Sequence, residues 1–301
     1  MNRDTFFGVI FALFAAVGFS AKAILIKLAY LDHVDAITLL ALRMAFAVPF
    51  FIVVAIWVGG RNSTPLQRQD WLAVLGLGLL GYYLSSYLDF LGLEHITASL
   101  ERLILFLYPT MTVILSAVIY KRAIGRKVIA AMLLSYAGIL LVFLHDISVS
   151  QGSVFLGASL VFASALCYSI YLVGAGHAIT RIGATRFTAY AMVVASIASL
   201  LQFAVTHPMS SLSLPIKVYQ LSLAMAIFST VLPVFLLSYA IRRIGSSSSS
   251  LIGSIGPVAT IGLAYMFLHE VVSGLQIAGT VLVLGGVLMI SLSSKKAQAK
   301  P

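Results

Sequence analysis

Apolar residues fill this chain in continuous runs separated by short segments rich in charge, glycine or proline. Windows of about 20 apolar residues, the length that crosses a bilayer core as a helix, can be placed ten times. Because the runs do not alternate with polar residues, and because a lipid-exposed backbone must satisfy its own hydrogen bonds, they predict helices rather than barrel strands. The predicted spans are 6–28, 36–58, 71–91, 98–120, 126–144, 154–175, 186–206, 217–240, 247–268 and 273–293.

Composition supports a membrane location. Hydrophobic residues make up 61% and charged residues 9% of the 301 residues, which leaves too little polar surface for a soluble domain. The first apolar run follows Arg3, is long, and precedes no cleavage site with a mature domain, so we expect a retained first span rather than a signal peptide.

The chain repeats itself. The segment 96–140 recurs at 244–288 with a constant offset of 148 residues, so that Pro109 falls on Pro257. Each half then holds five spans, and after an odd number of spans the second half inserts upside down.

The predicted architecture is therefore an all-α integral membrane protein with ten transmembrane helices arranged as two inverted five-helix repeats. The first repeat is 1–148 and the second is 149–301, and together they form one membrane domain.

Basic residues agree with this topology. If both termini are cytoplasmic, most of the 19 lysines and arginines lie on the cytoplasmic side, as the positive-inside rule requires, and only Lys217 lies outside. The net charge of +10 then indicates attraction to anionic lipid, with no nucleic-acid partner. We expect a multi-pass protein of a bacterial inner (plasma) membrane. The inner basic residues are Arg3, Arg61, Arg68, Lys121, Arg122, Arg126, Lys127, Arg181, Arg186, Arg242, Arg243, Lys295, Lys296 and Lys300.

The segment 269–279, followed by a pair of glycines, resembles the drug/metabolite transporter superfamily of the EamA type. In that family an acidic residue after the penultimate helix precedes a glutamine and a glycine-rich last helix, which Glu270, Gln276 and Gly286 match. The first copy departs from the pattern, since Lys121 stands where the acidic residue is expected. The resemblance covers essentially the whole chain. Within the superfamily, the chain is similar to bacterial aromatic amino-acid exporters. It implies a substrate path between the halves, lined chiefly by the first, third, fourth, sixth, eighth and ninth spans.

Charged residues inside spans are the first candidates for that path, because an ionised group at membrane depth generally faces a cavity or a partner. Lys22 lies midway along the first span and Glu101 well inside the fourth. Each is predicted either to contact substrate or to take part in an ion pair, with Asp89 a further candidate partner of Lys22. For Arg43 and Arg102, also within spans, we favour a structural role.

Aromatic and hydroxyl residues complete the predicted site. The third span carries tyrosines and serines, and α-helical spacing places Tyr82, Ser86 and Asp89 on one face. Serines open the ninth span, where they either pack closely or line a cavity. Pro109 and Pro257 are predicted hinges at equivalent points. The predicted substrate-binding residues are Lys22, Tyr82, Tyr83, Ser86, Glu101, Tyr108, Tyr168, Ser250 and Ser254.

These features favour a secondary transporter that exports or exchanges small metabolites, with amino acids, and aromatic ones in particular, as the expected substrates. The alternatives are a sugar-phosphate or nucleotide-sugar exchanger, a passive channel and, least favoured, an intramembrane enzyme, since no catalytic set converges at one depth. We expect no cofactor and no metal site, because Cys167 is the sole cysteine and the histidines lack ligand spacing. The pattern is compatible with a homodimer and leaves the oligomeric state open.

Overall fold

The structure is a computed structural model that describes residues 3–61, 65–121, 123–149 and 153–298. Those residues form an all-helical bundle. Eight helical segments are long and apolar enough to cross a membrane, and two shorter apolar helices, Gly256–Leu268 and Gly274–Met289, follow them in the part of the chain described. The helices are α1 (Arg3–Tyr30), α2 (Ala36–Arg61), α3 (Arg68–Gly78), α4 (Ser85–Leu93), α5 (Ala98–Leu105), α6 (Tyr108–Ile119), α7 (Arg126–Val149), α8 (Val154–Ile182), α9 (Ala184–Thr206), α10 (Ile216–Ala226), α11 (Leu232–Gly253), α12 (Gly256–Leu268) and α13 (Gly274–Gln298).

Helix boundaries repeat with the same offset of 148 residues that the sequence shows. The first residues of α2, α3, α6 and α7 correspond to those of α9, α10, α12 and α13. Packing repeats as well: α1 lies against α11 and α12, while its counterpart α8 lies against α4 and α6. The two halves therefore share one helical plan.

The fourth and ninth spans are each broken into two helices next to the prolines predicted as hinges. α5 ends at Leu105 and α6 begins at Tyr108, whereas α11 ends at Gly253 and α12 begins at Gly256. Pro109 and Pro257 stand in the first turn of the second piece. A proline ring crowds the carbonyl four residues earlier, which here belongs to the last residue of the first piece, so a continuous helix is disfavoured at both points.

The third and eighth spans also differ from regular α-helices. π-Helical segments at Leu79–Leu84 and Ile227–Val231 join α3 to α4 and α10 to α11. A π-turn inserts an extra residue and rotates the side chains that follow it. Tyr82 contacts Tyr171 on α8, and Asp89 contacts Lys22 on α1, so the two residues of the predicted face have partners on different helices.

α11 bends where the predicted eighth and ninth spans meet. Gly245 has φ +79°, a left-handed conformation that suits glycine, and it separates residues 232–244 from 246–253. Its counterpart in the first half is Thr97, the N-cap of α5. The stretch 246–253 is thus the second-half equivalent of α5.

α7 and α13, which are equivalent by the repeat, cross in an antiparallel sense. Gly138 lies against Gly279, and Gly286 lies against Ala131, so rising numbers in one helix meet falling numbers in the other. At the centre, Ser135 donates a hydrogen bond to the carbonyl of its own counterpart, Val283, at 3.5 Å. Glycines at the crossing let the two backbones approach closely.

Candidate functional site

A partly buried lysine joins three helices of the first half. Lys22 on α1 places its Nζ 2.5 Å from Oδ2 of Asp89 on α4 and 3.4 Å from Oε1 of Glu101 on α5. The exposed fractions of the three side chains are 18%, 3% and 0%. The structure therefore brings together two residues of the predicted site, and it adds Asp89 as the closest partner of Lys22.

Three of the four carboxylate oxygens of this cluster lack hydrogen-bond donors among the described residues. Within the described residues, neither oxygen of Glu101 and not Oδ1 of Asp89 accepts a hydrogen bond that meets ordinary geometry. The two carboxyl groups are nevertheless close enough to interact with each other. Buried polar atoms are nearly always hydrogen-bonded, so these oxygens are exceptional.

Arg43 on α2 approaches the same cluster from the side. It is buried, its Nε donates to Oγ1 of Thr230 at 3.1 Å, and its guanidinium lies 5.3 Å from the centre of the Phe90 ring. Thr230 belongs to the π-helical segment of the second half. Arg43 thus holds the two halves together beside Asp89, in keeping with the structural role favoured from the sequence.

A cluster of aromatic rings lies between the third, fourth and sixth spans. The hydroxyl groups of Tyr82 and Tyr171 are 2.9 Å apart, Tyr168 stacks on Tyr171 at 5.5 Å, and Tyr108 meets Tyr168 edge to face at 5.4 Å. Phe187 of α9 stacks on the far side of Tyr171. We call Tyr82, Tyr108, Tyr168 and Tyr171 the tyrosine cluster.

Arg102 connects the tyrosine cluster to the charged residues. It lies near enough to Glu101, Tyr108 and Tyr168 for electrostatic interaction. It also reaches the start of α12, where a Cβ on Gly256 would lie 2.8 Å from its Nη2. Its Nε has no hydrogen-bond partner among the described residues. A guanidinium therefore stands beside both helix breaks.

The remaining predicted site residues are less closely associated with these groups. Tyr83 stacks on Tyr87 at 6.4 Å, outside the tyrosine cluster. No hydrogen bond or ring contact of the described residues joins Ser86 to either group, whereas its neighbour Ser85 exchanges hydrogen bonds with Ser164 on α8. Ser254 lies in the turn between α11 and α12, and the side chain of Ser250 lies outside what the structure describes.

Three residues of this region could not be identified as site residues from the sequence. Phe187 and Thr230 sit in ordinary apolar stretches, and Ser164 is one small residue among many. Each becomes notable only through a contact with another helix. Tyr171, in contrast, shares the predicted aromatic role of its neighbour Tyr168.

Comparison with known proteins gives this geometry a context. The model of the EamA-like transporter family matches twice, at residues 6–144 and 155–292. The uncharacterized transporter YcbK of Bacillus subtilis (strain 168) is 30% identical over 96% of this chain and 92% of its own length. An S-adenosylmethionine/S-adenosylhomocysteine transporter of Chlamydia trachomatis serovar L2 is 26% identical over 70% of this chain and 67% of its own. A solved crystal structure shares the fold with a TM-score of 0.64 and 18% identity, covering 97% of this chain and 99% of that one. The resemblance noted in the sequence is confirmed at this level, and the chain belongs to the EamA-like transporter family.

Proposed function

We propose that the protein is a secondary transporter that moves a small organic solute by alternating access through the Lys22 cluster and the adjoining tyrosine cluster. The observation that carries this proposal is the ion-paired group of a partly buried Lys22 with the buried Asp89 and Glu101 beside a helix break, where three carboxylate oxygens accept no hydrogen bond from the described residues. Charged groups at membrane depth are costly to bury and are typical of substrate or ion pathways.

Alternating access requires two halves that exchange roles. We infer ten spans in two inverted repeats, because the equivalent helices α7 and α13 run antiparallel and because the helix boundaries recur at the same offset. Contacts between turns fit this arrangement. Asp32 pairs with Lys217 at one end of the bundle, and Asp70 with Arg181 at the other, each joining turns that the topology assigns to one side.

The charge distribution supports cytoplasmic termini in a bacterial inner membrane, since the basic turns at 61–68 and 121–127 then face inward. The breaks before Pro109 and Pro257 supply the points about which half-helices can tilt. Pro109 and Pro257 are accordingly proposed as hinges.

For the solute we propose an amino acid with an aromatic or similarly flat side chain. The carboxylates of Asp89 and Glu101 suit an ammonium group, Arg102 suits a carboxylate, and the tyrosine cluster suits a ring. The name of the chlamydial relative supports the same class, because S-adenosylmethionine and S-adenosylhomocysteine are themselves α-amino acids that carry an aromatic base.

Counterflow in proteoliposomes tests the carrier mechanism. Unlabelled L-phenylalanine or S-adenosylmethionine trapped inside should drive uptake of the labelled compound above its equilibrium level, which a channel cannot do. Lys22→Met should abolish this overshoot. The matched control is Lys217→Met, which removes an exposed lysine paired with Asp32 and should leave transport unchanged. Fast uptake without overshoot would replace the carrier by a channel. Counterflow with a sugar phosphate but with neither amino acid would replace the proposed solute.

A further inference from the structure

The charges around Lys22 do not balance locally. Two carboxyl groups, Asp89 and Glu101, share one ammonium group, and Glu101 is fully buried. If both carboxyl groups are ionised, the group of three carries one excess negative charge. Two carboxylates close together in a buried site cannot both ionise without a large cost.

The hydrogen-bonding pattern around Glu101 also indicates that the group of three carries too much negative charge when both carboxyl groups are ionised. An ionised carboxylate needs donors, and Glu101 receives none from the described residues apart from the ion pair with Lys22 at 3.4 Å. A protonated carboxyl group, in contrast, is itself a donor. Since Asp89 and Glu101 are close enough to interact, one proton would satisfy both groups through a hydrogen bond between them.

The surrounding groups make such a proton exchangeable rather than permanent. α1 contributes Lys22 and Tyr30, α2 contributes Arg43, and α5 contributes Arg102, all near enough to Asp89 or Glu101 for electrostatic interaction. Tyr108 and Tyr168 lie behind Arg102. Neither arginine forms an ion pair with either carboxylate in the described part of the chain, so both favour the ionised form only from a distance.

A metal cation fits this site poorly. The ammonium group of Lys22 occupies the space next to Asp89 and would repel a metal cation there. The described residues also contain no group of three or more histidine, cysteine, aspartate or glutamate side chains that could hold a metal ion.

We propose that Asp89 and Glu101 together bind one proton, and that the transporter exchanges this proton for its solute. The exchange half of this inference rests on the proposed function, whereas the proton site rests on the geometry alone. The ammonium group of the solute and the proton both neutralise the same two carboxylates, so binding of one releases the other. One proton enters the pair from one side of the membrane and leaves to the other side; the only bond formed on entry and broken on exit is the O–H bond of the carboxyl group. Exchange of a zwitterion for a proton moves one positive charge per cycle.

Infrared difference spectroscopy tests the proton site without any solute. Purified protein in lipid should gain the carbonyl band of a protonated carboxyl group when the pH falls from alkaline to mildly acidic. Glu101→Gln leaves Asp89 in a balanced pair with Lys22 and should remove this band. The control is Asp70→Asn, which removes a carboxyl group paired with Arg181 elsewhere and should leave the band intact. A band that is unchanged in Glu101→Gln would overturn the proton site.

Proteoliposomes containing a pH-sensitive dye test the exchange. An outward gradient of L-phenylalanine should drive protons inward in the wild type, and an imposed membrane potential should change the rate. Glu101→Gln should lose proton movement while keeping some counterflow. Phenylalanine transport without proton movement in the wild type would overturn the exchange. If the wild type shows no phenylalanine counterflow but the band disappears in Glu101→Gln, the solute is wrong and the proton site stands.

Discussion

Glu270, at the end of α12 in the second half, caps the N-terminus of α5 in the first half through Ser99. Its Oε2 accepts a hydrogen bond from the Ser99 hydroxyl group at 2.7 Å, and its Oε1 accepts one from the backbone N–H of Ala98 at 2.9 Å. The first N–H groups of a helix have no partner within it, and a carboxylate there is favourable. A residue that the family resemblance singled out thus joins the two halves at the start of the broken fourth span.

Glu270→Ala should lower the free energy of unfolding by about 1 kcal/mol, the usual cost of losing a helix cap. Glu270→Gln should cost less, because it keeps one oxygen acceptor. Thermal unfolding of the purified protein measures both. Asp32→Ala, which breaks a partly exposed ion pair with Lys217, serves as the control and should have little effect. An equal loss in all three variants would contradict the cap.

Gly138→Ala should destabilise the contact between α7 and α13. The added Cβ would lie 2.5 Å from the carbonyl oxygen of Gly279. Because this oxygen belongs to the backbone of α13, it cannot move aside as a flexible side chain could. Overpacking of this kind costs about 1–3 kcal/mol. Gly285→Ala on α13, where the nearest atom is 3.5 Å away, should unfold at the wild-type temperature. Equal behaviour of the two variants would argue against the close crossing.

Gly256→Ala should reduce transport with little loss of stability. The new methyl group would displace the guanidinium of Arg102, whose flexible side chain can move, so the fold survives while the site changes. Counterflow rates and unfolding temperatures separate the two effects. The control is Gly262→Ala in the same helix, where the added carbon meets open space. If transport is unaffected in Gly256→Ala, Arg102 has no part in the site.

Tyr82→Phe and Tyr171→Phe should each cost about 0.5–1.5 kcal/mol of stability, because each removes one partner of the same hydrogen bond. The double variant should cost less than the sum of the two, since the bond can be lost only once. Tyr83→Phe, whose ring stacks on Tyr87 outside the cluster, is the control for loss of a hydroxyl group. Additive costs would show that the two hydroxyl groups act independently.

Pro109→Ala should slow counterflow. Without the ring that collides with the carbonyl of Leu105, α5 and α6 can join into one straighter helix, which stiffens the proposed hinge. Pro257→Ala should behave alike in the second half. Pro49 lies inside α2, which continues past it, so Pro49→Ala is the matched control and should leave the transport rate unchanged. A wild-type rate in both hinge variants would exclude motion at these breaks.

The helix breaks show which features of the fold a local sequence pattern can predict. Pro109 and Pro257 lie next to the breaks in both halves, because a proline removes a backbone hydrogen bond and crowds the preceding turn. The π-helical segments left no comparable mark. The sequence of Leu79–Leu84 is compatible with an α-helix, so the extra residue of the π-turn is not apparent from regular spacing.

The sequence by itself determined the membrane class, the repeat of 148 residues and the charged residues that must be accounted for at membrane depth, because hydrophobic length and charge are properties of short segments. Only the tertiary structure decided which charges meet. From the sequence, more than one carboxylate could pair with Lys22. Packing of α1 against α4 and α5 places Lys22 between Asp89 and Glu101. Packing likewise brought Glu270 to α5. Such contacts join residues far apart in the chain, and their geometry depends on how whole helices cross.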